Sequence, residues 1–146
     1  KNLYESLSAY GVGNHRHNSE IEQELFKHTK KKVHFNFTPH LSPMFRGILS
    51  TIYVESKKNI TITKIYSSLK KFYKKQYFVR ILPPNTLLST NDVINTNFCN
   101  ISICKSKYKN KIIILSTIDN LIKGGAGQAV QNLNNYYNLN VKKGLV

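Results

Sequence analysis

Tryptophan is absent, methionine occurs once, cysteine twice and proline four times, and only seven acids face 22 lysines and arginines in 146 residues. Each scarcity excludes something. Cys99 and Cys104 are too few for a disulfide framework, and their spacing along a predicted strand puts them on opposite faces, where they neither bridge nor share a metal. With four prolines, seven glycines and 40% hydrophobic residues, the chain is not collagen-like or low-complexity and has material for one core. No apolar run approaches the roughly 18 to 20 residues that cross a bilayer. Near Lys1 there is no combination of basic start, apolar stretch and small-residue cleavage site, so no signal peptide is read and the cytoplasm is the expected compartment. There the Asn-x-Ser/Thr matches at Asn36, Asn59 and Asn100 carry no meaning. With Lys1 first and Met44 as the sole methionine, the sequence reads as a processed, trimmed or split chain.

The scarcity of acids leaves a net charge of +15. Such a balance invites a nucleic-acid reading, because clustered lysines neutralise phosphates and release counterions. The basic runs are 30–32, Lys57 with Lys58, Lys70, Lys71, Lys74 and Lys75, and the stretch 105–111, with Tyr66, Phe72, Tyr73, Tyr77 and Tyr108 among them. They are scattered, however, and only Arg16, Arg46 and Arg80 carry the planar fork suited to bidentate recognition. A solvated surface is the favoured reading, and a nucleic-acid partner is not expected.

Residues 19–30 read as a helix, with Ser19 and Glu22 in capping-box spacing, acids at its start and lysines at its end. Val33 to Phe37 alternates with period two and reads as a strand, as does 46–55 after the turn marked by Pro39 and Pro43. Thr61 or Thr63 is placed to cap a second helix whose stripe of Ile65, Leu69, Phe72 and Tyr73 reads as core. Strands follow at 77–82, 98–105 and 111–117, the last two joined by a basic turn, and a third helix begins at Asp119 or later and runs to Tyr137. The expected class is α+β, with a mixed, largely antiparallel sheet and helices on one face.

Three segments carry the candidate chemistry. Asn14-His15-Arg16-His17, followed by Glu20 and Glu22, sets two imidazoles, a guanidinium and carboxylates at a helix start. Such a set fits an acid/base site, a metal pair lacking a third ligand, or a polar loop. Thr38 to Gly47 contains Arg46, isolated from the basic runs and suited to a carboxylate or phosphate, or to an acid of its own chain. Asp119 to Asn132 holds Gly124, Gly125 and Gly127 after a strand and before an amphipathic run. This arrangement either exposes backbone N–H groups at a helix N-terminus or serves packing and hinging. It is neither a G-x-G-x-x-G fingerprint nor a P-loop.

Together the three segments resemble the C-terminal half of the N-acetyl-gamma-glutamyl-phosphate reductases, arginine-pathway members of the semialdehyde dehydrogenase group. The matching residues are Asn14-His15-Arg16-His17 with Glu20-Ile21, Thr38-Pro39-His40-Leu41 with Pro43-Met44-Phe45-Arg46-Gly47, and Asp119 through Asn132; Thr96 to Ile101 also fits. The resemblance implies the fold of the catalytic and dimerisation domain of the glyceraldehyde-3-phosphate-dehydrogenase-like group. It further implies an NADPH-dependent reduction of an acyl phosphate to an aldehyde, in which a cysteine thiolate attacks, the thioester takes up hydride and a histidine moves protons. By the same resemblance His17 is the acid/base, Glu20 and Glu22 orient it, Arg46 and Arg16 hold substrate, and Gly125, Ala126 and Gly127 lie near the nicotinamide of NADP(H), with no metal. Asn14 and Asn18-Ser19 depart from the family pattern, and both the nucleophilic cysteine segment and the dinucleotide domain are missing. The expected organisation is therefore a catalytic and dimerisation domain over 1–117 and, over 118–146, a closing helix and tail for a missing N-terminal NADP-binding half. The chain is expected to be inactive alone, homo-oligomeric and apart from membranes. The competing reading is a decayed or repurposed domain serving as a basic binding or oligomerisation module.

Overall fold

The structure, a computed structural model, describes residues 4–55 and 60–146; Lys1, Lys57, Lys58 and Asn59 lie outside the described residues. The chain divides into two compact units, Lys1–Phe45 and Arg46–Val146.

In the first unit, the short strands β1 (Ser8–Ala9) and β2 (His40–Leu41) pair antiparallel on either side of the helix α1 (His17–Thr29). The helix starts before Ser19, and the capping box expected there does not form. Arg16 already has helical dihedrals (φ −55°, ψ −30°), so capping falls to His15. The His15 Nδ1 accepts the backbone N–H of His17 at 3.2 Å, and its carbonyl accepts that of Asn18 at 2.9 Å. Ser19, already inside the helix, donates its hydroxyl back to the Arg16 carbonyl at 3.1 Å. The strand expected at Val33 to Phe37 is also absent. Val33, Phe35 and Phe37 are half-buried while His34 and Asn36 are exposed, so the alternation is real, but no neighbouring backbone completes a ladder.

The second unit contains β3 (Ile48–Glu55), α2 (Ile62–Phe72), β4 (Val79–Ile81), a 3₁₀ turn (Thr90–Asp92), β5 (Cys99–Lys105), β6 (Lys111–Ile118), a π turn (Ile122–Ala126) and α3 (Gly127–Tyr136). The sheet order is β3-β6-β5-β4, with β6 antiparallel to both neighbours and β4 parallel to β5. The fold is therefore α+β with a mixed, largely antiparallel sheet, as expected. Thr61 caps α2 by accepting the Lys64 N–H at 3.2 Å. Along α2 and just past its end, Ile65, Leu69 and Tyr73 are half-buried, but Phe72, expected in the same stripe, is 76% exposed. Phe78, Val93, Ile103, Cys104 and Ile112 form the buried apolar core. The two cysteines are on opposite faces of β5: Cys99 Sγ lies 3.5 Å from Ser116 Oγ, and Cys104 Sγ lies 3.8 Å from Ser102 Oγ. At the sheet edge, β3 leaves Ile48, Leu49, Ile52, Tyr53 and Val54 exposed. The stretch 118–146 belongs to this unit, where the π turn packs on β6 and α3 packs on the π turn. Among the described residues no helix is long and apolar enough to cross a membrane.

Candidate functional site

The candidate residues fall into two groups, one in each compact unit. In the first, the His15 and His17 rings meet edge to face with centroids 4.7 Å apart, and Tyr10 and Phe37 lie 5.4 and 5.3 Å from His15. Because His15 Nδ1 accepts a backbone N–H, its neutral tautomer carries the proton on Nε2. His15 is half-buried among these rings, whereas His17 is exposed, and among the described residues its ring makes no hydrogen bond or ion pair. The structure therefore separates an anchoring imidazole from an available one. Glu20 is three residues along α1 from His17, on the same side of the helix. Glu22 points to another side and lines a shallow groove with Ser19, Gln23, Phe26, Lys32 and Val33. Neither carboxylate is hydrogen-bonded to His17, and Arg16 is exposed at the helix start. No group of three His, Cys, Asp or Glu placed to hold a metal occurs among the described residues.

The second group centres on Asp119, whose importance the sequence reading missed. This side chain is wholly buried at the end of β6. Its Oδ1 accepts the N–H groups of Leu121 and Ile122 at 2.8 and 2.9 Å, its Oδ2 accepts that of Asn95 at 2.8 Å, and Arg46 Nη1 stands 3.6 Å from Oδ2. Burial alone raises the pKa of this carboxyl, but the three N–H donors and the guanidinium outweigh it and hold the group below the ordinary carboxylate range. Asn120, the next residue, accepts the Gly47 N–H at 2.7 Å. Glycine is required at 47: φ is +105°, and an added Cβ would sit 2.6 Å from Thr90 Cβ. Asp119 and Asn120 thus tie the start of β3, the loop before β5 and the π turn together, and Arg46 already has a carboxylate of its own chain beside it. An Asp two and three residues before a helical turn is a capping pattern, which was the available signal.

The glycine segment does not present a row of free amides. Gly124, Ala126 and Gly127 donate to the carbonyls five positions back, on Asp119, Leu121 and Ile122, and Gly125 (φ −148°, ψ −113°) breaks the turn before α3. Gly127 is a packing glycine, since a Cβ there would meet Asn97 Oδ1 at 2.5 Å and Ile122 Cγ2 at 2.7 Å. Exposed Gly124, Gly125 and Ala126 form a surface with no side chain larger than a methyl. Below it, half-buried Lys123 donates to Gln131 Oε1 at 2.7 Å, and the same oxygen accepts Asn97 Nδ2 at 2.9 Å. Burial lowers the Lys123 pKa against the smaller opposing effect of Cys99.

Comparison with known proteins accounts for this arrangement of motifs. The chain is 48% identical over 130 residues to the N-acetyl-gamma-glutamyl-phosphate reductase of Thermoanaerobacter pseudethanolicus, covering 89% of this chain and 38% of the relative. It is 49% identical over 144 residues to that of Clostridium kluyveri, covering 99% and 42%, and 45% identical over 143 residues to that of Staphylococcus aureus, covering 98% and 42%. The chain thus spans about two-fifths of the length of these relatives. Among solved structures, aspartate semialdehyde dehydrogenase from Francisella tularensis superposes with a TM-score of 0.70 at 18% identity, over 94% of this chain and 41% of that one, which establishes the shared fold. A family model described as semialdehyde dehydrogenase, dimerisation domain, matches residues 1–120. This chain belongs to the semialdehyde dehydrogenase dimerisation-domain family.

Proposed function

We propose that this chain is the C-terminal part of an NADPH-dependent N-acetyl-gamma-glutamyl-phosphate reductase, converting N-acetyl-glutamyl 5-phosphate to N-acetyl-glutamate 5-semialdehyde in arginine biosynthesis. The observation that carries the reading is the match along almost the whole chain, at 45–49% identity, to reductases of that name, of which the chain spans about two-fifths. His17 is the proton-moving group: it is exposed, while the neighbouring His15 is committed to capping α1. Glu20 and Glu22 would orient His17 only when substrate and the remaining part of the protein are in place. Arg16 would hold the substrate's charged end, and Arg46 would do so while remaining beside Asp119.

The surface of Gly124, Gly125 and Ala126 fits the planar nicotinamide of NADP(H) as a contact face, because nothing bulky projects from it. Gly127 supports that face from below. A phosphate cradle does not fit there, because the amides of Gly124, Ala126 and Gly127 are already bonded. When bound, the cofactor supplies the hydride. The two cysteines of this chain lie within β5, so the nucleophile belongs to the missing N-terminal part, and this chain alone is inactive in the cytoplasm where the reductase works. The exposed apolar residues of β3 form the oligomer surface.

The test is an NADP-linked reductase assay of this chain mixed with a separately made N-terminal part carrying the dinucleotide domain and its cysteine. Activity should appear on mixing and disappear with His17→Ala, while circular dichroism of that variant stays unchanged. Turnover by this chain alone, or full activity of the His17→Ala mixture, would overturn the assignment.

A further inference from the structure

Three aromatic rings of the second unit touch one another: Tyr77 and Phe78 have centroids 5.1 Å apart, Phe78 and Phe98 5.4 Å, and Tyr77 and Phe98 5.7 Å. Each ring carries one cation. The Arg80 guanidinium lies 3.3 Å from the Phe98 centroid, Lys142 Nζ 4.2 Å from that of Tyr77, and Lys123 Nζ 5.8 Å from that of Phe78. These cations come from β4, from the tail after α3 and from the π turn.

Buried polar side chains hold two of them in position. Asn134, 3% exposed, donates to the carbonyls of Val141 and Lys143, gripping the backbone on both sides of Lys142. Gln131, itself held by buried Asn97, accepts from Lys123. Arg80 is fixed by its stacking on Phe98 and by the pairing of β4 with β5.

The charge is uncompensated. The acids of 46–146 are Glu55, Asp92 and Asp119, and each is engaged elsewhere: Glu55 with Lys111, Asp92 with the Ser89 N–H, Asp119 with Arg46. Among the described residues, Arg80, Lys123 and Lys142 form no ion pair. Ring faces attract cations but supply no counter-charge, and gathering like charges is unfavourable until an anion joins them. A stacked guanidinium also keeps its N–H edge free for a planar or tetrahedral oxyanion.

We propose that the cluster around Tyr77, Phe78 and Phe98 is a binding site for a small phosphate-bearing anion, with Arg80 and Lys142 as its ligands and Lys123 as a third positive charge. Three cations match a multivalent phosphate better than a monocarboxylate. The site is independent of the reductase reading and needs no second protein part.

The experiment is a titration of the 146-residue chain with inorganic phosphate, with pyrophosphate and with acetate at constant ionic strength, followed by amide and guanidinium NMR shifts. Saturable shifts confined to Arg80, Phe98, Lys123 and Lys142 are expected, with pyrophosphate binding more tightly where an organic diphosphate is the natural ligand and phosphate equally well where the free ion is. Arg80→Gln and Lys142→Gln should each weaken binding about tenfold, and Lys107→Gln on the β5–β6 turn should leave it unchanged. Non-saturating shifts spread over the lysines of 105–111, equal binding of acetate, or unaltered affinity in the Lys142→Gln chain would overturn the proposal. If Arg80→Gln fails to fold, Lys142→Gln, in the tail after α3, decides the matter.

Discussion

The guanidinium of Arg46 and the buried carboxylate of Asp119 stand 3.6 Å apart, although the two residues are 73 positions apart in the sequence. That carboxylate also receives three backbone N–H groups. Removing its charge in Asp119→Asn takes the carboxylate from beside Arg46 and turns one of its two acceptor oxygens into a donor facing N–H groups. The variant should lose about 2–4 kcal/mol in urea unfolding.

The pH dependence follows from the same residue. Its folded pKa is depressed, so the unfolded chain binds the proton more readily. Asp119 therefore contributes stability that is complete above the ordinary carboxylate range and is lost as pH falls from about 4 through the lower folded value. The stability gap between the wild type and Asp119→Asn, read from urea unfolding followed by circular dichroism, should therefore narrow as pH falls below about 4, because only the wild type loses this increment on acidification.

Gly47→Ala should cost more than about 2 kcal/mol, because a positive φ and a close approach to Thr90 act together. The midpoint of thermal unfolding checks this, and a change of less than a few degrees would contradict it.

Gly127→Ala and Gly124→Ala should separate cleanly. A Cβ at 127 meets the Ile122 carbonyl oxygen at 2.8 Å as well as Asn97, whereas at 124 its nearest neighbour is Ile118 Cδ1 at 3.4 Å. Urea titration is expected to show a loss of about 1–3 kcal/mol for the first and at most ~0.5 kcal/mol for the second.

His15→Ala removes the acceptor at the start of α1 and should destabilise that helix by about 1 kcal/mol, seen as faster amide exchange of His17 and Asn18, while His15→Asn, which keeps an acceptor, should restore protection.

What could be read from the sequence follows from how far each interaction reaches along it. The Thr61 cap and the β5–β6 hairpin depend on near neighbours, and both form as expected. Ser19 looked like a cap because hydroxyls usually serve, whereas an imidazole four residues earlier took the role through its ring nitrogen. Val33 to Phe37 has the alternation of a strand but not the partner, and alternation reports covering, not pairing. Phe72 continues the spacing of the stripe but is 76% exposed, and the half-buried position falls to its neighbour Tyr73. Of the candidate site, the histidine segment and the glycine segment were visible as motifs, but the joining of Arg46 and Gly47 to Asp119 and Asn120 depends on long-range pairing that composition and spacing do not carry.

The place of β6 in the sheet governs the order in which the second unit is assembled. β3 comes first in the chain, yet its neighbour is a strand that follows roughly sixty residues later, and β6 also supplies the antiparallel neighbour of β5. During synthesis β3 therefore waits, with an apolar surface uncovered, until nearly the whole unit has been made. The β5–β6 hairpin closes locally and offers the edge on which β3 docks, so loop closure around α2 and β4 sets the slow step of folding. A ribosome-bound chain ending before Lys111 should be the aggregation-prone intermediate, and release of Ile118 should mark the onset of protection in β3.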